Sequence, residues 1–366
     1  MLVSGHNDLS VLDGGLGTTL ETAFGLDISN TPLWSAKAAI EHPDTIIAAH
    51  LAFLHAGAQI ILTSTYQCSP ETFRKAGYTD NEGRGLTLKC VELAVEARRQ
   101  LPTAAGEGAE PKIALSLGPY GAGLSPAQEF DGFYPPPYGP RAYNPDGLNL
   151  NAFADIDLEE GAIEALAGYH LSRVQAVSEA WDALDLVAFE TIPLLREIHA
   201  IRRAMGRLAI PPKPWWISLV LPEGRFPQRR HPDADDRISV AQIVEATFAL
   251  PTASTPAPSA IGVNCTQVEA LPGILAQMEG ALPNGLRPWL VLYPNAGDVY
   301  DSATQSWVPK AGSRDDWVAQ VATIARDARG RGVWGGVVVG GCCRTGPEDI
   351  RLLAEAVRRR GGEGLS

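Results

Sequence analysis

Short runs of apolar, largely β-branched residues alternate with longer stretches whose apolar positions recur every three to four residues, and the alternation continues through nearly the whole chain. A run that is apolar on both faces reads as a strand of a covered parallel sheet, and a three-to-four repeat reads as a helix that covers it. Strands are expected at Ser10 to Asp13, from Gln59 in QIILTSTY, from Lys112 in KIALSLGP and from Leu184 in LDLVAFETI. PWWISLVL from Pro214, AIGVNCT from Ala260, PWLVLYP from Pro288 and GVWGGVVVGGCC from Gly332 supply four more. Helical patterns separate them, the first with Pro43 near its start and Gly57 near its end, the ends each residue suits. Eight strand-helix units in series predict an α/β protein, a single (β/α)8 TIM barrel domain over residues 1–366, rather than an open sheet. TASTPAPSA, Thr252 to Ala260, has linker composition but falls between a helix and a strand of one series, so it reads as a surface loop. Insertions at 119–157 and 222–237 follow the third and fifth strands, which places them on the C-terminal face that holds the active sites of such barrels.

Charge and composition narrow the function classes. A net charge of -12 argues against nucleic acid or an anionic membrane surface as partner, since both require a basic face. No apolar run approaches the roughly 20 residues of a membrane span, and MLVSGHNDLSVLDGG does not read as a secretory signal. Five irregularly spaced cysteines are not a disulfide framework, so the expected compartment is the reducing cytoplasm, where clustered thiols serve metals or catalysis. Nothing in the pattern specifies an oligomeric state.

In a barrel, the strand ends converge on one rim. They bring together Asp13-Gly14-Gly15, Thr63 to Tyr66, Gly118-Pro119, Glu190-Thr191, Asn264-Cys265, Tyr293 to Asn295 and Cys342-Cys343. Three of the five cysteines fall in this set. Three converging thiolates suit a zinc ion with one open position, and Gly340-Gly341 would let the adjacent pair turn toward one metal. The same residues read equally well as small buried hydrophobes, the ordinary fate of free cysteine. Cys68 and Cys90, and His42, His50 and His55 on an outer helix, read as packing or surface residues. DGGLGTT is glycine-rich but lacks both the dinucleotide-binding order and a phosphate-loop lysine. Asp13 beside it, and Glu190 ending an apolar strand, would welcome an ammonium group or else pair structurally.

The motifs LDGGLGTTLE, AGAQIILTSTYQ, LGPYGA, FETIP, IGVNC, YPNAGDVYD and GGCCRTGPEDI, spread over positions 12–350, resemble those of the homocysteine S-methyltransferases. The likeness is to the branch that uses S-methylmethionine or S-adenosylmethionine rather than to the betaine-using one. It implies a (β/α)8 barrel, zinc on Cys265, Cys342 and Cys343, and homocysteine's amino group on Asp13 and Glu190. It also puts Gly14, Gly15 and Thr63 around the amino-acid portion, and the reaction itself belongs to methionine biosynthesis. Trp34, Tyr66 and Gln67 are donor-side candidates, because aromatic faces attract sulfonium cations. No residue is expected to act as a catalytic acid or base. FDGFYPPPYGPRAYNPDG and EGRFPQRRHPDADD exceed the family's usual loop lengths. Selenocysteine as acceptor, a zinc-dependent barrel hydrolase and a non-catalytic sulfur amino acid sensor are the alternative readings. The sensor would have no need of Cys342 and Cys343, and the hydrolase would favour histidine ligands.

Overall fold

The computed structural model describes residues 8–28, 33–102, 109–296, 299–301, 306–308 and 314–359. Eight parallel strands form one sheet: β1 (Leu9–Val11), β2 (Ile60–Leu62), β3 (Lys112–Leu117), β4 (Leu186–Ile192), β5 (Trp215–Leu219), β6 (Ala260–Asn264), β7 (Trp289–Tyr293) and β8 (Gly336–Val339). β1 pairs with β8 in the register Leu9 to Val337, and each remaining strand pairs with its sequence neighbour. The seam between β1 and β2 is closed by Gln59 N–H donating to Val11 O (2.8 Å) and Asp13 N–H donating to Ile60 O (3.0 Å). This is the (β/α)8 barrel.

Alternation along the strands explains why both faces looked apolar. Val11, Ile61, Leu115, Phe189, Ile217, Val263, Leu292 and Val339 point outward into the main core under the helices. Leu12, Ile60, Ala114, Ala188, Trp216, Trp289, Val291, Tyr293 and Val338 fill the barrel interior. Trp289 fits inside because a glycine faces it, and a second glycine lets the backbones of neighbouring strands pack closely. A Cβ on Gly336 would stand 2.6 Å from the Trp289 ring, and one on Gly262 would stand 2.4 Å from Val291 O.

The rim is more helical than the periodicity foretold. Short helices α1 (Leu16–Thr22) and α2 (Ser35–Glu41) precede α3 (Pro43–His55), and α4 (Pro70–Lys75), capped by Ser69, precedes α5 (Asp80–Gln100). The later helices are α6 (Ile156–Ala176), α7 (Leu195–Gly206), α8 (Val240–Phe248), α9 (Leu271–Ala281), α10 (Arg314–Gly330) and α11 (Pro347–Arg358). Between β7 and α10 an antiparallel pair, Val299–Asp301 with Ser306–Val308, falls partly within YPNAGDVYD. Gly297 and Asp298 of that motif lie outside the described residues.

Both insertions lie over the C-terminal face and are fastened there by buried polar groups. Glu197 on α7 accepts hydrogen bonds from Tyr120 N–H (2.8 Å) and Tyr134 Oη (2.9 Å) and pairs with His170 Nε2 (3.0 Å). Asn151 ties the two insertions together, donating to Asp131 O (2.7 Å) and Pro227 O (3.0 Å) and accepting from Arg229 N–H (3.0 Å). Arg173 on α6 reaches Cys68 O (2.8 Å), Gly118 O (2.5 Å) and Tyr66 O (2.7 Å), so one buried guanidinium clamps the loops after β2 and β3. Among the described residues no helix is long and apolar enough to cross a membrane.

Candidate functional site

The rim cavity is lined from seven of the eight strand ends or the loops that follow them, and by one residue of an insertion. Gly14 to Thr18, Trp34, Thr63, Tyr66, Ser116, Glu129, Glu190, Thr191, Asn264, Cys265, Tyr293, Cys342 and Cys343 all border it.

Its floor is carboxylate. Glu190 points inward from β4, is 4% exposed, and accepts a hydrogen bond from Ser116 Oγ. Burial pushes its carboxyl up to about 7, against the opposing pull of Ser116, Tyr293 and the Arg173 charge. Asp13 is fully buried at the end of β1, where Oδ2 accepts Leu62 N–H (2.8 Å) and Oδ1 has no partner. Burial first, with Glu190 adding to it, holds Asp13 well above the usual carboxylate range, while the Leu62 bond opposes. Two carboxyls raised by the same desolvated floor resist carrying two charges until a cation arrives. Asp13 lies beneath the cavity wall and does not line it. Thr63 shares a 2.6 Å hydrogen bond with Thr65 Oγ1 and accepts Ser116 N–H (3.0 Å). These hydroxyl contacts draw the chain out of β2 after Leu62, three residues into the expected strand.

Beside the carboxylates stand the sulfurs. Cys265, Cys342 and Cys343 place their Sγ atoms within 4.8 Å of one another, the one such group of metal-capable side chains among the described residues. Cys265 Sγ and Cys342 Sγ lie in direct contact, and Cys343 Sγ is 3.9 Å from Cys342 Sγ. Reduced, the trio is a soft three-sulfur donor set that could hold a metal. Two of its sulfurs have donors that suit thiolates: Asn264 Nδ2 donates to Cys265 Sγ (3.2 Å) and Cys342 Sγ (3.9 Å), and Thr191 Oγ1 lies 3.9 Å from Cys265 Sγ, whereas burial, with Glu129 adding to it, pushes the Cys343 thiol up to about 12.

The backbone is bent to make this possible. The β4–β5 register shifts between Phe189 and Ile192, and Thr191 takes a left-handed φ of 60°. Its displaced N–H finds Asn264 Oδ1 at 2.8 Å. Cys265 (φ 47°), Arg344 (φ 66°) and Trp34 (φ 42°) are also left-handed, so four of the five such non-glycine residues among the described ones border this cavity or adjoin Cys343. Non-glycine residues keep such angles where the surroundings fix them, commonly at functional sites.

The glycines serve close approach, which corrects the turn argument. Gly340 and Gly341 have no left-handed φ. A Cβ on Gly340 would come within 2.6 Å of Asp13 O, and one on Gly341 within 2.3 Å of Thr345 Oγ1. Gly15 would meet Cys342 O at 2.5 Å, and its N–H is taken by Thr345 O (2.9 Å) and Oγ1 (3.1 Å). Gly17 would meet the Trp34 ring at 2.3 Å. DGGLGTT therefore packs against the cysteine turn and Trp34.

Trp34 and Tyr66 form an aromatic wall, edge to face at 6.5 Å. Gln67 instead turns to the insertion, donating to Ala122 O (3.1 Å), and does not line the cavity. Cys68 and Cys90 are buried against each other and do not line the cavity, and His50 is buried while His42 and His55 are exposed. Sequence reasoning placed Asn264 on the rim without a role, and it passed over Ser116 and Glu129. The first two were accessible from the two-residue alternation that aims Glu190 inward; Glu129 sits in a turn-rich insertion without periodicity.

Comparison with known proteins gives a consistent result. The family model described as Homocysteine S-methyltransferase matches residues 10–357. Homocysteine S-methyltransferase 2 of Zea mays is 32% identical over 355 residues, covering 95% of this chain and 90% of that one. The Homocysteine S-methyltransferase of Escherichia coli K12 is 30% identical over 348 residues, covering 94% of each. The solved structures of the homocysteine methyltransferase MmuM from Escherichia coli align over 96% of both chains at 28% identity, with TM-scores of 0.69 for a metallated and 0.70 for an oxidized form.

Proposed function

Since the chain belongs to the homocysteine S-methyltransferase family, we propose that it transfers a methyl group from a sulfonium donor, S-methylmethionine or S-adenosylmethionine, to L-homocysteine, forming methionine. The observation that carries this reading is one cavity bordered at once by three clustered sulfurs, a buried carboxylate and two aromatic rings. Its setting is a single barrel domain in the cytoplasm, whose reducing conditions would keep the cysteines as thiols.

Glu190, with Asp13 behind it, takes the ammonium of homocysteine. Both are desolvated, Asp13 has an unpartnered oxygen, and the cation relieves their mutual repulsion. Gly14, Gly15 and Thr63 border the same end and surround the amino-acid portion. That orientation directs the substrate's sulfur toward Cys265, Cys342 and Cys343, which would hold zinc. Zinc held there supplies a Lewis acid that keeps the acceptor thiol deprotonated at neutral pH, where a free thiol near pKa ~8.5 is mostly protonated. Asn264 and Thr191 orient the ligand sulfurs through the hydrogen bonds already described. Trp34 and Tyr66 flank the donor, and Gln67 supports the insertion above them.

The acceptor sulfur forms a bond to the methyl carbon as the bond from carbon to the donor sulfur breaks. The bonding pair stays on the donor sulfur, which leaves as a neutral thioether. No proton is needed by the leaving group, so no side chain acts as acid or base.

Zinc analysis of the reduced protein, together with methionine formation from homocysteine and each donor in turn, tests the reading. About one zinc per chain and turnover with at least one sulfonium are expected. A zinc-replete protein that makes no methionine from either donor would overturn it.

A further inference from the structure

We propose that Glu129, carried on the insertion after β3, is the carboxylate that recognises the positive charge of the methyl donor and so sets the enzyme's preference for a sulfonium over a neutral thioether. The assignment rests on the sulfonium reading above. It goes beyond that reading by naming the residue of this chain that senses the donor's charge.

Four observations converge on Glu129. It borders the cavity together with Trp34 and Tyr66, with its carboxyl beside the Tyr66 hydroxyl. Its Oε2 is shielded from solvent and has no hydrogen-bond partner. The segment carrying it is rigidly held: Gln128 N–H donates to Gly121 O (2.9 Å), Gly132 N–H donates to Gln128 O (2.9 Å), and Glu197 fixes Tyr120 and Tyr134 on either side. A Cβ on Gly121 would lie 2.6 Å from the Gln128 carbonyl carbon, so the glycine lets the loop close down on itself. Finally, burial pushes the Glu129 carboxyl up to about 7, with only the Tyr66 hydroxyl opposing, so a cation placed beside it would ionise it.

Charge matching identifies a cation that suits it. Homocysteine brings one ammonium, and Glu190 with Asp13 stands ready for it at the floor. A sulfonium amino acid brings a further positive charge. Of the carboxylates bordering the cavity, Glu129 is the one that meets the Tyr66 hydroxyl, where a sulfonium also gains from the ring faces of Trp34 and Tyr66. When the methyl group leaves, the donor sulfur becomes neutral and its attraction to Glu129 ends. The same residue thus favours binding of the donor and release of its thioether product.

Equilibrium binding of S-methylmethionine and of methionine, its neutral thioether counterpart, to the reduced, zinc-loaded full chain and to Glu129→Gln tests this, alongside steady-state kinetics. The wild type should prefer the sulfonium. The substitution should weaken S-methylmethionine by ~10- to 100-fold, the scale of losing one partly buried charge contact, while methionine affinity and the KM for homocysteine stay within about twofold. An unchanged preference ratio overturns the assignment, and so does a raised homocysteine KM with donor affinity intact. If Glu129→Gln does not fold, Glu129→Asp replaces it, withdrawing the charge by one methylene. There a preference reduced by about threefold or more supports the assignment and a smaller change overturns it. Failure of the underlying reading looks different, because the wild type itself would then make no methionine from a sulfonium donor.

Discussion

Replacing Glu190 with glutamine should weaken substrate binding and strengthen the empty fold in the same protein. Glutamine keeps the shape and can still accept the hydrogen bond from Ser116 Oγ, so the perturbation is the loss of one buried charge. A charge-assisted hydrogen bond to an ammonium in a desolvated site contributes on the order of 2 to 4 kcal/mol, a loss of ~30- to 1,000-fold in homocysteine affinity. Stability moves the other way. The Glu190 carboxyl titrates at about 7 when folded against an ordinary 4.5, so as pH rises from 4.5 the unfolded chain releases its proton first. Stability therefore falls across that window, and at about 1.4 kcal/mol per pH unit the buried ionisation costs about 3 kcal/mol by neutral pH. The gain is enlarged, because Asp13 is held up partly by Glu190 and its folded carboxyl moves back toward its unfolded range once Glu190 is neutral. A net rise of about 3 kcal/mol or more at pH 7.5, vanishing near pH 4.5, is expected from urea unfolding of the reduced, metal-free proteins. In the wild type, homocysteine affinity should drop roughly a hundredfold per pH unit below about 7, one proton leaving Glu190 and one leaving the acceptor thiol, with metal content checked at each point, and the slope should fall to roughly tenfold in Glu190→Gln. An unchanged homocysteine KM, or a variant less stable than wild type at pH 7.5, would refute the reasoning and make Glu190 a structural residue.

Two further substitutions probe the sulfur cluster and the barrel interior. Cys343→Ala should lose both bound zinc and methyl transfer, since two thiolates hold the ion far more weakly than three; metal analysis after desalting checks it, and full zinc with full turnover would remove Cys343 from the site. Gly336→Ala would put a methyl group 2.6 Å from the Trp289 ring and should destabilise the fold by about 1 to 3 kcal/mol in urea melts, whereas a neutral result would mean that the interior has slack.

The barrel was readable because its strands are covered on both sides. Runs such as those containing Phe189 and Leu292 stand out without any help from turn chemistry, and the strand ends then deliver Glu190, Cys265 and Cys342 to one rim by geometry alone. Details set by side-chain competition were not readable. The early exit of β2 depends on Thr63 and Thr65 bonding across to Ser116, and the bulge at Thr191 depends on an Asn264 that is 73 residues away. Short helices α1, α2 and α4 are too brief to develop a hydrophobic period. Glu129 was hidden for a related reason: its segment is held by Glu197 and by glycine contacts, neither of which leaves a repeating trace in sequence.

The way the two insertions are anchored has an evolutionary corollary. Asn151 joins them to each other, and Glu197 fastens the first to the outer ring through α7, so the roof hangs from the helices and from itself. The acceptor carboxylates and cysteines belong to the strand ends below. Lineages, or protein engineers, could therefore exchange the roof as a cassette and retarget the enzyme to other methyl donors, provided that α7 travels with it, while the chemistry of the floor is inherited intact.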